Sequence, residues 1–394
     1  MSRLKKRLIN LAAGIEENFD SLAFVLKKRL NGDQPLQIVT FRSYGTLNRL
    51  YVKGRVLKDK EIRKATDKDT AWNNLLAMYK RFESDEVPDA RLKINFAGKE
   101  NFITTDHEGY FTVNLYTEVP LTWNDMWHEV DVELVGAPWS FTPGLKSTAH
   151  VLVPPADAEY GIISDIDDTV VKSTATNLLA MSRNTLFHNA HSRLPFAGVS
   201  EFYKSLQLGR NGKRNNPFFY VSSSPWNLYD LLIDFMDIND IPEGPLLLRD
   251  FGIEKDKEIR DHMGHKFKEI KDILQAYPHL NFVLIGDSGQ EDPKIYREVV
   301  AQFPGRILAI YIRDVQLSDR EQIAIDISKA LVEHKVEMVI VDNTVEAAEH
   351  AAKTGLIFTE EIPKIVVDKK QDKGELPGKE QLTADNSDVD NKDV

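Results

Sequence analysis

Hydrophobic spacing changes character twice along this 394-residue chain. Over residues 1–30, Leu4, Leu8, Leu11 and Ile15 recur at helical intervals, with Arg3, Lys5, Lys6 and Arg7 near the start, which predicts an amphipathic N-terminal helix. Two readings fit such a basic helix: peripheral contact with an anionic membrane, or packing on its own domain with a solvated basic face. Across 31–153 the apolar runs shorten to LQIVTF, RLYVKGRVL, RLKINFAG, NFITT, GYFTVNLY, VDVELVG and AHVLV. Turn residues separate these runs, Gly109 in TTDHEGYF among them, and one helix is predicted around 70–82. Short strands with turns between them predict a β-sandwich-like accessory domain.

After VPPADAEYG (153–161) the rhythm changes again. GIISD, FFYVS, PLLLRD, FVLIGD, ILAIYIRD and MVIVD alternate with helical stretches such as WNLYDLLIDFMD, HKFKEIKDILQAY and PKIYREVVAQF. Nearly all-apolar strands alternating with helices predict an α/β domain over 154–365, a parallel sheet with helices on both faces. From 366 to 394 the chain is charged and poor in bulky apolar residues, so a disordered tail is expected there.

Composition narrows the function. A formal net charge of −11 argues against a nucleic-acid binder, whose footprint is a broad basic field. With no cysteine, disulfides, thiolate metal sites and thiol nucleophiles are excluded, and a reducing cytoplasm is compatible. No apolar run approaches the ~20 residues that span a bilayer, and the N-terminus lacks a secretory cleavage pattern. The expectation is a cytoplasmic protein, at most peripheral at a membrane surface.

The chemistry gathers at strand ends. Asp165, Asp250, Asp287, Asp314 and Asp342 each close an apolar run, and FFYVS closes on Ser222. In open α/β sheets, ligands bind outside the carboxyl ends of the strands. A lone acid there usually caps a loop or helix. A row of acids repels itself unless a cation joins it, and Mg²⁺ suits hard carboxylate oxygens.

Asp165-Ile166-Asp167-Asp168-Thr169 resembles the DxDxT first motif of the haloacid-dehalogenase-type phosphatases. Ser222 resembles their second motif, Lys266 in GHKFKEIKDIL the third, and the acidic run from Gly286 to Asp292 the fourth. The likeness covers about 160–315. The fuller wording of DIDDTVVKS, LFHNAHSRLPFAGV, FFYVSSSPWNLYDLL, GHKFKEI and FVLIGDSGQEDPKIY is similar to the actin-patch-associated phosphatidate phosphatases and, more distantly, the lipin catalytic domains. This resemblance implies a Rossmann-like sheet of the haloacid-dehalogenase type and Mg²⁺-dependent hydrolysis of phosphatidate to diacylglycerol and phosphate.

It further implies Asp165 as nucleophile, forming an aspartyl-phosphate, and Asp167 as the acid that protonates the leaving alkoxide and then activates water. Mg²⁺ is implied between Asp165, the Asp167 carbonyl and Asp287, with Asp292 as ligand or neighbour. Ser222 and Lys266 are expected to hold phosphoryl oxygens, Lys266 being chosen over Lys268 and Lys271 of the same helix. Ser223 and the backbone of SSSPWN offer further donors, with Pro225 expected at the first helical position.

For substrate binding, Lys172, Arg183 and Arg193 stand with His188 and His191 among Leu178, Leu179, Met181, Leu186 and Phe187. Such a mixture suits an anionic lipid head with its chains nearby, or equally a helix with ordinary surface charges. The loop GRNGKRNNP precedes its strand and so is expected on the edge away from the site. The expected partner is an anionic phospholipid. The alternatives are a soluble phosphomonoester, or a catalytically silent phosphatidate binder. Retention of Asp165, Asp167, Ser222 and Asp287 weighs against the silent binder.

Overall fold

The computed structural model describes residues 35–58, 86–121, 125–166, 197–249, 262–314, 318–373 and 375–376. The expected helices at 1–30 and 70–82 lie outside these residues, as do Asp167, Lys172, Arg183, His188, His191, Arg193 and Asp250. No helix among the described residues is long and apolar enough to cross a membrane.

The N-terminal part consists of β1 (Leu36–Phe41), β2 (Ser43–Thr46), β3 (Arg49–Lys58), β4 (Arg91–Phe96), β5 (Lys99–Thr104), β6 (Tyr110–Tyr116), β7 (Trp127–Gly136) and β8 (Lys146–Leu152). They hydrogen-bond as one connected eight-stranded sheet in the order β1-β3-β2-β8-β7-β4-β5, with β6 also on β3. β2 is the joint, antiparallel to β3 and parallel to β8. Period-two alternation sends Leu50, Val52 and Val56 of β3 into a core shared with Leu92 and Ile94 of β4 and with Val130 and Val132 of β7. At Gly109, φ is +78° and a Cβ would come within 2.7 Å of the Val56 carbonyl oxygen, so the sequence signal for a turn was sound. The chain leaving that turn nevertheless crosses to β3 instead of pairing back on β5.

The remainder is a mixed α/β unit. Strands β9 (Gly161–Asp165), β10 (Phe218–Pro225), β11 (Leu246–Arg249), β12 (Phe282–Asp287), β13 (Ile307–Arg313) and β14 (Glu337–Val341) form a parallel sheet ordered β11-β10-β9-β12-β13-β14. On one face lie α1 (Val199–Leu208), α2 (Tyr229–Ile238), the helix Thr344–Lys353 and the helix Ile362–Asp372. On the other lie α3 (His262–Ala276), α4 (Asp292–Gln302) and α5 (Ser318–Leu331). The two helices that close the chain on the first face are α6 and α7. β9, β10, β11 and β12 carry no fully exposed residue, as burial on both faces demands.

Two expectations change. The expected disordered tail does not begin at 366, because α7 continues through Asp372. Its acids serve a distant partner: the Gly198 amide donates to the half-buried Asp372 Oδ2 at 2.6 Å and the Glu201 amide to the buried Asp368 Oδ2 at 3.2 Å, capping the start of α1. Pro225 is extended (φ −73°, ψ 152°), closing β10 instead of opening a helix, and a short 3-10 turn at Trp226–Leu228 intervenes before α2.

The two parts are docked through aromatic side chains. Phe41 of β1 stacks on Trp226 at 4.5 Å and meets Tyr229 at 4.6 Å, between ring centroids. Tyr277 at the end of α3 donates its hydroxyl to the Gly45 carbonyl at 2.8 Å. The loop containing Arg210, Lys213 and Arg214 is engaged by Glu159 and Asp157 at the amino edge of the sheet, away from the strand carboxyl ends.

Candidate active site

Strand order reverses at β9, which runs between β10 and β12, and that is where an open α/β sheet leaves a crevice. Register then places the side chains. Val221 pairs with Asp165, so Ser222 lies one step beyond it on the neighbouring strand; Ile285 pairs with Ser164, which brings Asp287 to the same edge on the other side. Asp165, Asp287 and Asp292 each offer an oxygen to one cluster, with these atoms within 4.8 Å of one another.

Lys266 of α3 closes the group. Its ammonium lies 2.8 Å from Asp165 Oδ1 and donates to Asp292 Oδ1 at 2.9 Å and Gln290 Oε1 at 2.9 Å. The Asp165 contact is an ion pair by distance without hydrogen-bond alignment, so that buried oxygen keeps unused acceptor capacity. Asp292 is wholly buried at the start of α4, where its Oδ2 accepts the Asp287 amide at 3.2 Å. Asp287 Oδ1 in turn accepts the Gln290 amide at 2.9 Å. Gly286 makes this packing feasible: a Cβ there would come within 2.4 Å of Asp292 Oδ2 and 2.9 Å of its Cβ. Tyr296 of α4 donates to the Ile285 carbonyl at 2.8 Å and ties the helix to β12.

Burial pushes the Asp165 carboxyl well above the usual carboxylate range, and the Asp292 charge adds to this against the pull of Lys266. For Lys266, burial favours the neutral form, but Asp165 and Asp292 outweigh it and hold the ammonium charged. Three carboxylates with one ammonium leave two net negative charges, which a divalent cation with a preference for oxygen would balance. The donor set and the orphaned Asp165 oxygen therefore fit such an ion.

Of the residues expected from sequence, the structure gathers Asp165, Lys266, Asp287 and Asp292 in one centre. Ser222 is fully buried beside it, its Oγ accepting the Ser224 amide at 3.0 Å. Ser223 is buried, and its hydroxyl has no hydrogen-bond partner. Asp314 and Asp342 stay out of the cluster: Asp314 accepts from Ser288 Oγ at 3.2 Å, and the Asp342 amide donates to Glu346. Gln290 lies inside the acidic run from Gly286 to Asp292, where its residue type alone signals no part in the site. Arg249 and His265, both buried close by, carried no signal beyond their places at a strand end and before the motif lysine.

The stretch bearing this centre, residues 160–314, matches the family described as "Phosphatidate phosphatase APP1, catalytic domain". The lipin-like, actin-patch-associated resemblance read from the motifs is thus shown for this stretch. Among curated relatives, Phosphatidate phosphatase APP1 of Saccharomyces cerevisiae is 37% identical over 155 residues, 39% of this chain and 25% of that protein. An uncharacterized protein of Schizosaccharomyces pombe is 29% identical over 215 residues, 54% of this chain and 34% of its own length. The matches therefore span about a quarter and a third of those relatives. Among solved structures, that of XAC1771, described as a novel carbohydrate acetylesterase from Xanthomonas citri, aligns over 82% of this chain and 75% of its own at 13% identity. Its TM-score is 0.31, too low to speak to fold or activity.

Proposed function

We propose that this chain is a Mg²⁺-dependent phosphatidate phosphatase of the haloacid-dehalogenase type, releasing diacylglycerol and phosphate through an aspartyl-phosphate on Asp165. The observation that carries the reading is the buried group of Asp165, Lys266, Asp287 and Asp292 at the strand-order switch, inside the stretch similar to phosphatidate phosphatase catalytic domains.

Asp165, Asp287 and Asp292 would hold the cation, whose contribution is to neutralise charge on the phosphoryl oxygens. An Asp165 carboxylate oxygen attacks phosphorus as the ester P–O bond breaks. The departing alkoxide takes a proton from Asp167, a role that rests on the motif alone. Asp167 then removes a proton from water, which attacks the aspartyl-phosphate, releases phosphate and restores the Asp165 carboxylate. Lys266 has its geometry fixed by Asp292 and Gln290 and supplies a positive charge to the oxygens transferred; Ser222 supplies a hydroxyl from the facing strand. The substrate reaches this centre from an anionic phospholipid surface contacted peripherally, with Lys172, Arg183 and Arg193 as candidate headgroup ligands.

The test is phosphate release from phosphatidate in mixed micelles, with Mg²⁺ and with excess chelator, for the parent and Asp165→Asn. Metal-dependent release that disappears in the variant is expected. Release only from a small phosphomonoester would keep the chemistry and discard the lipid, and no release from either would overturn the enzyme reading.

A further inference from the structure

Every residue of β9 before the nucleophile is apolar or glycine except Ser164. Alternation along the strand sends Ile163 and Asp165 to the face covered by α3, where Lys266 meets the nucleophile. It sends Ile162 and Ser164 to the opposite face, covered by α1. Hydropathy gives no reason for a hydroxyl there: Ser164 is 1% exposed, and its neighbour from α1, Tyr203, is 2% exposed. The Tyr203 ring packs as a phenylalanine would, 5.1 Å from Phe218 and 6.3 Å from Phe202 between centroids.

The two hydroxyl oxygens lie 2.6 Å apart. Ser164 Oγ donates its one hydrogen to the Asp165 carbonyl at 3.0 Å, so the Tyr203 hydroxyl is the donor between the pair and Ser164 Oγ its acceptor. A relay of hydrogen bonds thus runs from α1 through Ser164 to the backbone of the nucleophile. It acts where the sheet ladder stops: β9 pairs with β12 as far as Ser164 and with β10 as far as Asp165. Its base is firm, because α1 is capped by Asp368 and Asp372. Two buried hydroxyls bonded to each other add little net stability over apolar groups of the same shape, so their place in this core calls for another role.

We propose that Tyr203, acting through Ser164, is a positioning residue for the reaction: it anchors the Asp165 peptide from the face opposite Lys266, so that the last paired residue of β9 presents its carboxylate in one orientation. The proposal rests on the phosphatase reading for the chemistry Asp165 performs, and adds the device that holds Asp165 in place. A reacting group misplaced by about 1 Å loses on the order of 10²-fold in rate, so even partial release of this peptide is visible in kcat.

The experiment is a double-variant cycle of Tyr203→Phe and Ser164→Ala in the full chain, read for kcat and KM on phosphatidate micelles with Mg²⁺, and for Tm. Each single variant leaves one buried hydroxyl without its partner. Tm is expected to fall in both, and kcat to fall about tenfold with KM within about twofold. The double variant removes both hydroxyls, and Tm recovers toward the parent. There the two roles part: a positioning relay leaves kcat about tenfold low in the recovered protein, whereas a packing role restores kcat along with Tm. Restored kcat, or parent-like kcat in both single variants, overturns the proposal. A crystal structure of the double variant answers without turnover, and it decides if Tm stays low. Asp165 Oδ1 is expected to have left its 2.8 Å contact with Lys266. An unmoved Asp165 carboxylate overturns the proposal, whereas a parent inactive on every phosphomonoester would sink only the phosphatase reading.

Discussion

Lys266→Met removes one charge from the centre of the fold and keeps most of the side-chain volume. The ammonium makes ion pairs at 2.8 and 2.9 Å with Asp165 and Asp292, and all three side chains are at most 5% exposed. Deleting one member of a buried ionic group costs about 3–5 kcal/mol, because the remaining charges lose their compensation. At about 2–4 °C per kcal/mol for a domain of this size, Tm should fall by roughly 6–20 °C at neutral pH without divalent cation. The pH dependence carries the sharper test. Lys266 titrates above its ordinary range, so in the parent its contribution is constant from acid to mildly basic pH. In the variant, Asp165 loses the one group that lowers its already raised pKa. A carboxyl raised in the folded chain keeps a proton that the unfolded chain has released, so stability falls as pH climbs from the ordinary carboxylate range through the raised value. The deficit should therefore be small near about pH 5, grow toward about pH 8, and shrink when Mg²⁺ is added. Thermal unfolding across that range, with Mg²⁺ and with chelator, measures all three. A deficit independent of pH and metal, or no deficit, would refute the assignment of Lys266 as the counter-charge of the carboxylates.

Gly286→Ala drives a methyl group into the Asp292 carboxylate at 2.4 Å, so a loss of about 1–3 kcal/mol in urea unfolding is expected, together with a weaker Mg²⁺ requirement curve, half-saturating at higher metal. Parent-like unfolding and metal dependence would mean that Asp292 can move without consequence. Phe41→Ala removes a ring that is 3% exposed, stacked on Trp226 and in tilted contact with Tyr229, and should cost about 3–5 kcal/mol. The same variant should split a single calorimetric transition into two as the docked halves lose their coupling, and an unsplit, unshifted transition would count against that interface.

The parallel sheet was legible because strands buried on both faces are written as continuous apolar runs, and GIISD and FVLIGD allow no other face to point outward. Asp165 and Asp287 were legible for the same reason, each being the first charged residue after such a run. Gln290 was hidden because its role depends on how α4 starts, and Asp292 tucks against a glycine that only the three-dimensional packing explains. Helix α7 escaped notice because its acids face the first amides of α1, about 170 residues earlier in the chain, a pairing without any local spacing. Phe41 reads as an ordinary position on an alternating strand; which sheet face meets another domain is decided by docking, and hydropathy does not encode it.

The capping of α1 by Asp368 and Asp372 also fixes where the chain re-enters the core after β9. Thr344 at the start of α6 adds a third tether, donating its hydroxyl to the Ala197 carbonyl at 2.6 Å. The start of α1, the start of α6 and the last turns of α7 are therefore tied into one unit although they lie far apart in sequence, so loss of the Asp368 or Asp372 carboxylate loosens helices at both ends of the α/β domain together.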